Sequence, residues 1–332
     1  MIISQTPFRI SFFGGGTDYP AWYKEHGGRV LAAAIDKYCY ISCRYLPPFF
    51  EHKYRIVYGK SELVNSYHEI EHPSVRAVLG HLECDQGLEI HHFGDLPARA
   101  GLGSSSAFTV GLLNALYAMR GIYRSADHLA KEAIFVEQEL LKEHVGIQDQ
   151  ITTAHGGFNF IEFHSNGSFE VSPCVLPPNR FNFLQNHLML FFTGLSRFAS
   201  EIAKSKIQNI TNKAKEFQRI GEMVNEGGNI LQSKNTSLNE FGKLLDEAWN
   251  YKRKLSDKVS SSHLDNIYET ALKAGALGGK ILGAGGGGFL LLFVPTDRQD
   301  QVRKKLSSLT EVPFRFNPTG SRIVLFHPNG FG

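Results

Sequence analysis

The sequence predicts an α+β fold built as two units, and three observations carry that prediction. The first half is rich in short runs of β-branched and aromatic residues broken by two helical patterns. A double proline, Pro177-Pro178, marks a change to long amphipathic helices between about Ser200 and Ala274. Beyond these helices, strand and helix patterns alternate again to the end of the chain. A length of 332 residues suffices for two compact units, placed at 1–178 and 179–332.

In the first unit, strands are expected over Pro7–Phe13, Arg29–Ile35, Tyr38–Tyr45, Tyr54–Tyr58 and Leu88–Phe93. Helices follow over Ser104–Arg120 and Ser125–Glu143, the second capped by Ser125. A strand pair near Gly157–Phe163 and Ser168–Cys174 closes the unit. The second unit should carry strands at Leu188–Phe192, Lys280–Leu282 and Phe289–Val294, a helix at Arg298–Leu309, final strands and an antiparallel sheet. Lysines between Lys204 and Lys254 alternate with Glu and Gln, the pattern of a solvated helix face.

With 42% hydrophobic and 20% charged residues, the composition is that of a soluble globular protein, which argues against disorder. A net charge of +3 is too balanced for a nucleic-acid partner, although it suits small anionic ligands. Four scattered cysteines, Cys39, Cys43, Cys84 and Cys174, form no Cys-x-x-Cys pair, so reduced core thiols are expected rather than disulfides or a zinc ribbon. Neither a signal peptide nor a membrane span is legible, and a cytoplasmic protein is expected.

The most informative run is Leu96-Pro97-Ala98-Arg99-Ala100-Gly101-Leu102-Gly103-Ser104-Ser105-Ser106. Gly101 and Gly103 let the backbone bring N–H groups close to an anion, and serines then open a helix whose first N–H groups have no intrahelical partner. Such a loop suits a phosphate, although a plain serine N-cap after a glycine turn reads equally well from these residues alone.

Near the start, Pro7-Phe8-Arg9-Ile10-Ser11-Phe12-Phe13-Gly14-Gly15-Gly16-Thr17-Asp18 is an apolar strand bearing one arginine, ended by a glycine turn with a carboxylate. In isolation, Arg9 reads as an edge-strand residue and Asp18 as a turn or helix cap. Toward the end, Gly278-Gly279-Lys280-Ile281-Leu282-Gly283-Ala284-Gly285-Gly286-Gly287-Gly288 contains Gly-x-Gly-x-x-Gly. It leads into a strand rather than a helix, which argues against a dinucleotide site, and Ala274 and Ile281 break a P-loop. An inter-strand loop beside a ligand fits it better.

Together, in this order and spacing, the three segments resemble the GHMP kinase superfamily over nearly the whole chain, and Gly14-Gly15-Gly16-Thr17-Asp18 resembles its D-glycero-D-manno-heptose 7-phosphate kinase branch. Gly15 and Gly16 stand where galactokinases carry Glu and His. The resemblance implies a ribosomal-protein-S5-like N-terminal domain and a ferredoxin-like C-terminal domain. It also singles out Glu137 and, twelve residues on, Asp149, which otherwise read as a solvated acid and a helix cap.

What the resemblance implies is an ATP- and Mg²⁺-dependent sugar kinase. ATP would lie on Ala100, Gly101, Leu102, Gly103, Ser104, Ser105 and Ser106, with Gly285 and Gly286 alongside. Mg²⁺ would sit on Ser105 and Glu137, with Ser104 the substitute ligand. Asp149 would take the hydroxyl proton beside Arg9, while Asp18, Gly15, Gly16 and Thr17 would bind the sugar. In the heptose branch the partner is a sugar phosphate and the anomeric hydroxyl is phosphorylated to give the 1,7-bisphosphate. The distant phosphate then needs a further cation, with Arg99, Lys280 and Arg197 as candidates. Alternative acceptors are fucose or another free sugar, mevalonate or homoserine, and a non-catalytic sugar and ATP sensor is the non-enzymatic alternative.

Overall fold

A computed structural model describes residues 1–98, 100–194 and 199–328. The chain runs β1 (Ile2–Phe13), α1 (Pro20–His26), β2 (Gly28–Tyr45), β3 (Tyr54–Val57), β4 (Ser61–Val64), α2 (Pro73–His81) and β5 (Leu88–Gly94). It continues through α3 (Ser104–Met119), α4 (Ala126–Phe135), a π-helical turn Val136–Leu140, α5 (Gln148–His155), β6 (Phe158–Phe163), β7 (Phe169–Pro173) and α6 (Pro178–His187). The remainder is β8 (Leu188–Gly194), α7 (Ala199–Gln208), α8 (Ala214–Gln232), α9 (Asn239–Lys254), α10 (Ser262–Lys273), β9 (Gly278–Ile281), β10 (Gly288–Phe293), α11 (Gln299–Lys305), β11 (Thr310–Glu311) and β12 (Arg322–Phe326).

The first sheet has the order β12-β1-β2-β5-β3-β4, with β6 and β7 branching from β2. β2 is its hub: Gly28–Ala33 pairs with β6, while Cys39–Tyr45 pairs with β5. Two strands were expected where β2 runs unbroken, because Asp36 and Lys37 interrupt the hydrophobic pattern. They form a bulge opposite Pro7 and Phe8 rather than a turn.

The second sheet, β11-β8-β10-β9, is antiparallel throughout. Its central strand β10 is buried on both faces. Phe289, Leu291 and Phe293 enter a core shared with Phe12 and Phe13 of β1, while Leu290 and Leu292 pack with Trp249, Tyr268 and Val302 on the other side. Phe241 of α9 joins the two: its ring centroid lies 5.5 Å from that of Phe12 on β1 and 6.4 Å from that of Phe293 on β10.

The expected unit boundary at 178 coincides with the start of α6, but the last strand crosses it. β12 pairs antiparallel with β1, so the first sheet takes its edge strand from the C-terminal segment assigned to the second unit. Alternation along Arg322–Phe326 predicts a strand without saying which sheet receives it. No helix among the described residues is long and apolar enough to cross a membrane. All four cysteines are buried and free.

Candidate active site

Gly103, with φ 74°, is the N-cap of α3 and offers no side-chain cap; the first turn also lacks an acid. Anions are therefore favoured at this end of the helix, which is buried nearly all round from Ser106 onward. Gly101 (φ 85°) lies directly against the C-terminal glycine run: a Cβ there would stand 2.6 Å from the Leu282 carbonyl oxygen. Gly283 and Gly288 make the reciprocal approach, to Gly101 and Ala100. Of the two glycines expected beside the nucleotide, Gly285 is buried against Val259, while Gly286 is exposed and donates its N–H to the Val259 carbonyl at 2.8 Å.

Arg9 stands at the mouth of α3. Arg9 pairs with Ala34 of β2 on one side, and on the other, beyond the reach of β12, its N–H donates to the Leu102 carbonyl at 3.0 Å, so it is 3% exposed rather than on an open edge. Its Nε and Nη2 donate to Asp149 Oδ1 and Oδ2 at 2.7 and 2.6 Å, and Nη1 donates to the Gly101 carbonyl at 2.7 Å. Asp149 opens α5 and keeps one quarter of its side chain exposed. A Cβ on Gly103 would stand 3.1 Å from Arg9 Cγ and 3.4 Å from Asp149 Oδ2, so the pair sits against the helix start.

Glu137 lies on the other side. The π turn closes with the Leu141 N–H on the Val136 carbonyl at 2.9 Å and ends the regular helix well before the expected Glu143. This wider turn buries Glu137 while leaving Glu139 exposed. Glu137 Oε2 accepts from Ser106 Oγ at 3.0 Å and from Gln150 Nε2 at 2.5 Å. Burial first, and then the negative charge of Glu143, push its carboxyl up to about 8. Glu137 Oε1 is buried without a hydrogen-bond partner.

This donor set fits a magnesium ion, since an orphaned carboxylate oxygen in an apolar setting is stabilised by a dication. No cluster of three or more His, Cys, Asp or Glu suited to a metal occurs among the described residues, so phosphate oxygens and water would complete the shell. Ser106, rather than the expected Ser105, is the serine on Glu137. In the first turn of α3, Ser105 points outward and is exposed, whereas Ser106 is 4% exposed.

Asp18 is 2% exposed and accepts from the Gly16 N–H at 2.8 Å and, more weakly, from the Gln148 N–H at 3.4 Å. Burial and then the neighbouring Asp149 raise its pKa. A Cβ at Gly146 would overlap Asp18 Oδ2, so only glycine lets the chain pass. Gly15 adjoins Ser11 Oγ and the Gln148 side chain, and Ser11 Oγ and Gln148 Oε1 are buried without partners. Gly16 lies against Phe217. Thr17, expected to touch substrate, is instead a turn staple. Its hydroxyl lies 2.9 Å from the Gly14 and Arg29 carbonyls and accepts the Arg29 N–H at 3.0 Å.

Three lysines near this centre are buried. Lys280 Nζ, a candidate for a substrate phosphate, donates to the Phe12 carbonyl at 2.7 Å, while Arg99 and Arg197 fall outside the described residues. Lys252 Nζ donates to the Ile281 and Gly283 carbonyls, both at 2.7 Å. Lys206 on α7 is 4% exposed. Lys206 and Lys252 contradict the expectation of a solvated lysine face. Lys206 occupies a position on the apolar stripe of Ile202, Ala203 and Ile210, a spacing that could have exposed it in the sequence. Gln148 and Gln150, also unforeseen, adjoin Asp149 and carried no signal beyond that.

Anion-favouring helix start, arginine-bound carboxylate and buried acid suit phosphoryl transfer to an alcohol group, and the family matches show a phosphotransferase of that class. Residues 68–157 match the family described as "GHMP kinases N terminal domain", and residues 213–311 match "GHMP kinases C terminal". The chain belongs to the GHMP kinases. It is 28% identical to D-glycero-alpha-D-manno-heptose 7-phosphate kinase of Campylobacter jejuni, with 91% of this chain and 92% of that one covered. It is 26% identical to a mevalonate kinase of Pyrococcus abyssi, covering 97% and 98%. The fold matches a D-glycero-D-manno-heptose 1-phosphate kinase from Bacteriodes thetaiotaomicron with a TM-score of 0.78 at 23% identity, over 98% of this chain and 100% of that one.

Proposed function

We propose that this protein is an ATP- and Mg²⁺-dependent sugar kinase that phosphorylates the anomeric hydroxyl of D-glycero-D-manno-heptose 7-phosphate. The observation that carries the reading is the convergence of the Arg9–Asp149 pair and buried Asp18 on the uncapped start of α3. Similarity to a heptose 7-phosphate kinase over nine tenths of both chains supports the choice of acceptor.

Backbone N–H groups from Ala100 to Ser106 cradle the nucleotide phosphates. Ser106 and Glu137 would hold a magnesium ion, which when bound would supply neutralisation of charge on the phosphate oxygens. Asp149 Oδ2 accepts the proton of the attacking hydroxyl, and Arg9 fixes that carboxylate and stabilises charge as it develops. Asp18 orients the sugar, with Ser11 and Gln148 offering their unpartnered oxygens to other hydroxyls.

A coupled ADP-release assay with heptose 7-phosphate, the free heptose, fucose and mevalonate tests the reading. Turnover should be greatest with heptose 7-phosphate; preference for fucose or mevalonate would replace it, and absence of turnover with every acceptor would favour the sensor.

A further inference from the structure

We propose that Lys206 grips an anionic substituent of the acceptor, a phosphate monoester, and so selects phosphorylated over free sugars. The inference rests on the sugar-kinase reading and names the substrate class of that site. Among the described residues, the other cations at the centre already have protein acceptors: Arg9 has Asp149 and Gly101, Lys280 has Phe12, and Lys252 has Ile281 and Gly283. Among the described residues, the Lys206 ammonium has no hydrogen-bond acceptor and no carboxylate within 4.0 Å, though its residue is 4% exposed.

Lys206 is rigidly presented. Ser205 Oγ lies 2.9 Å from Ser256 Oγ, and Asn209 Nδ2 donates to the Leu255 carbonyl at 3.1 Å, fastening α7 to the segment after α9. Ile207 and Ile210 pack with Tyr19 and Trp22, which places the helix beside the Gly14–Asp18 turn. Lys206 is within electrostatic reach of Asp18, yet the two form no ion pair within 4.0 Å.

Charge balance favours an anion beside Lys206. Among the described residues, the charges acting on Lys206, Lys252 and Lys280 are those of one another and Arg9, set against the carboxylates of Asp18 and Asp149. Burial lowers Lys206 to about 8 and Lys280 to about 7. A neutral hydroxyl leaves this repulsion in place, whereas a phosphate dianion removes it and supplies the missing acceptor.

The test compares wild type, Lys206→Met and Lys206→Arg with heptose 7-phosphate against free heptose, and with mannose 6-phosphate against mannose by calorimetry. Wild type should prefer the phosphorylated member of each pair. Lys206→Met should raise KM or Kd for that member roughly 10- to 100-fold, as expected for a charge-assisted hydrogen bond. The free sugar and ATP should change less than about threefold, and Lys206→Arg should recover part of the preference. Equal loss for both members, or no loss, overturns the assignment. If wild type turns over no heptose phosphate, the heptose reading fails separately, and calorimetry alone decides Lys206. A wild type that binds mannose as tightly as mannose 6-phosphate then refutes it.

Discussion

Arg9 and Asp149, 140 residues apart in the chain, are locked by two parallel hydrogen bonds of 2.7 and 2.6 Å, while the third Arg9 nitrogen holds the carbonyl of Gly101. One guanidinium thus fixes both the carboxylate and the loop before α3, so the proposed acceptor and nucleotide sites share a common reference.

Asp149→Asn retains the shape but removes the proton acceptor. Turnover should fall about 10²- to 10⁴-fold while nucleotide affinity, measured by titration, stays within a few-fold of wild type. Turnover within about tenfold of wild type would exclude a general-base role.

Ser106→Ala and Glu137→Gln should both raise the Mg²⁺ concentration needed for half-maximal rate, with Glu137→Gln losing at least about 100-fold in turnover. Ser105→Ala, altering an exposed hydroxyl, should leave the magnesium requirement nearly unchanged. A metal titration of the three variants that reversed the serine order would move the ion to Ser105.

Gly146→Ala places a methyl group against Asp18 Oδ2. The carboxylate must move, so KM for the sugar should rise tenfold or more by the usual cost of a displaced buried acceptor, with KM for ATP barely affected. Steady-state kinetics varying each substrate in turn will show whether the two constants separate.

Lys280 supplies a pH signature. Its folded-state pKa is lowered from 10.5 to about 7, chiefly by burial and then by Arg9, so the folded protein binds fewer protons than the unfolded chain between these values. The associated penalty is complete below about pH 7 and declines as pH rises toward about 10.5. Thermal melts of the ligand-free protein should therefore show wild type gaining Tm relative to Lys280→Met over that range; a gap independent of pH would contradict the assignment.

Much of this arrangement is legible in the sequence because it rests on local rules. Gly101 and Gly103 before a run of serines announce the helix start, and the apolar run around Arg9 announces β1. Other parts depend on tertiary contacts. Three-to-four-residue periodicity carries Glu137 along a regular α4, whereas the five-residue turn that buries it is fixed by Ser106 and Gln150. Lys206 follows the spacing of its apolar neighbours, but charge alone assigned it to water. The destination of β12 requires knowing that β1 has a free edge, which no local pattern reports.

That destination has a consequence for biosynthesis. When residue 178 leaves the ribosome, β1 still presents the unpaired edge of Ile2–Gln5, and the strand that covers it, Arg322–Phe326, is made only after the strands of the second sheet. The strand bearing Arg9 thus keeps an open edge until β12 emerges, which ties completion of the first sheet to synthesis of a segment that follows the second.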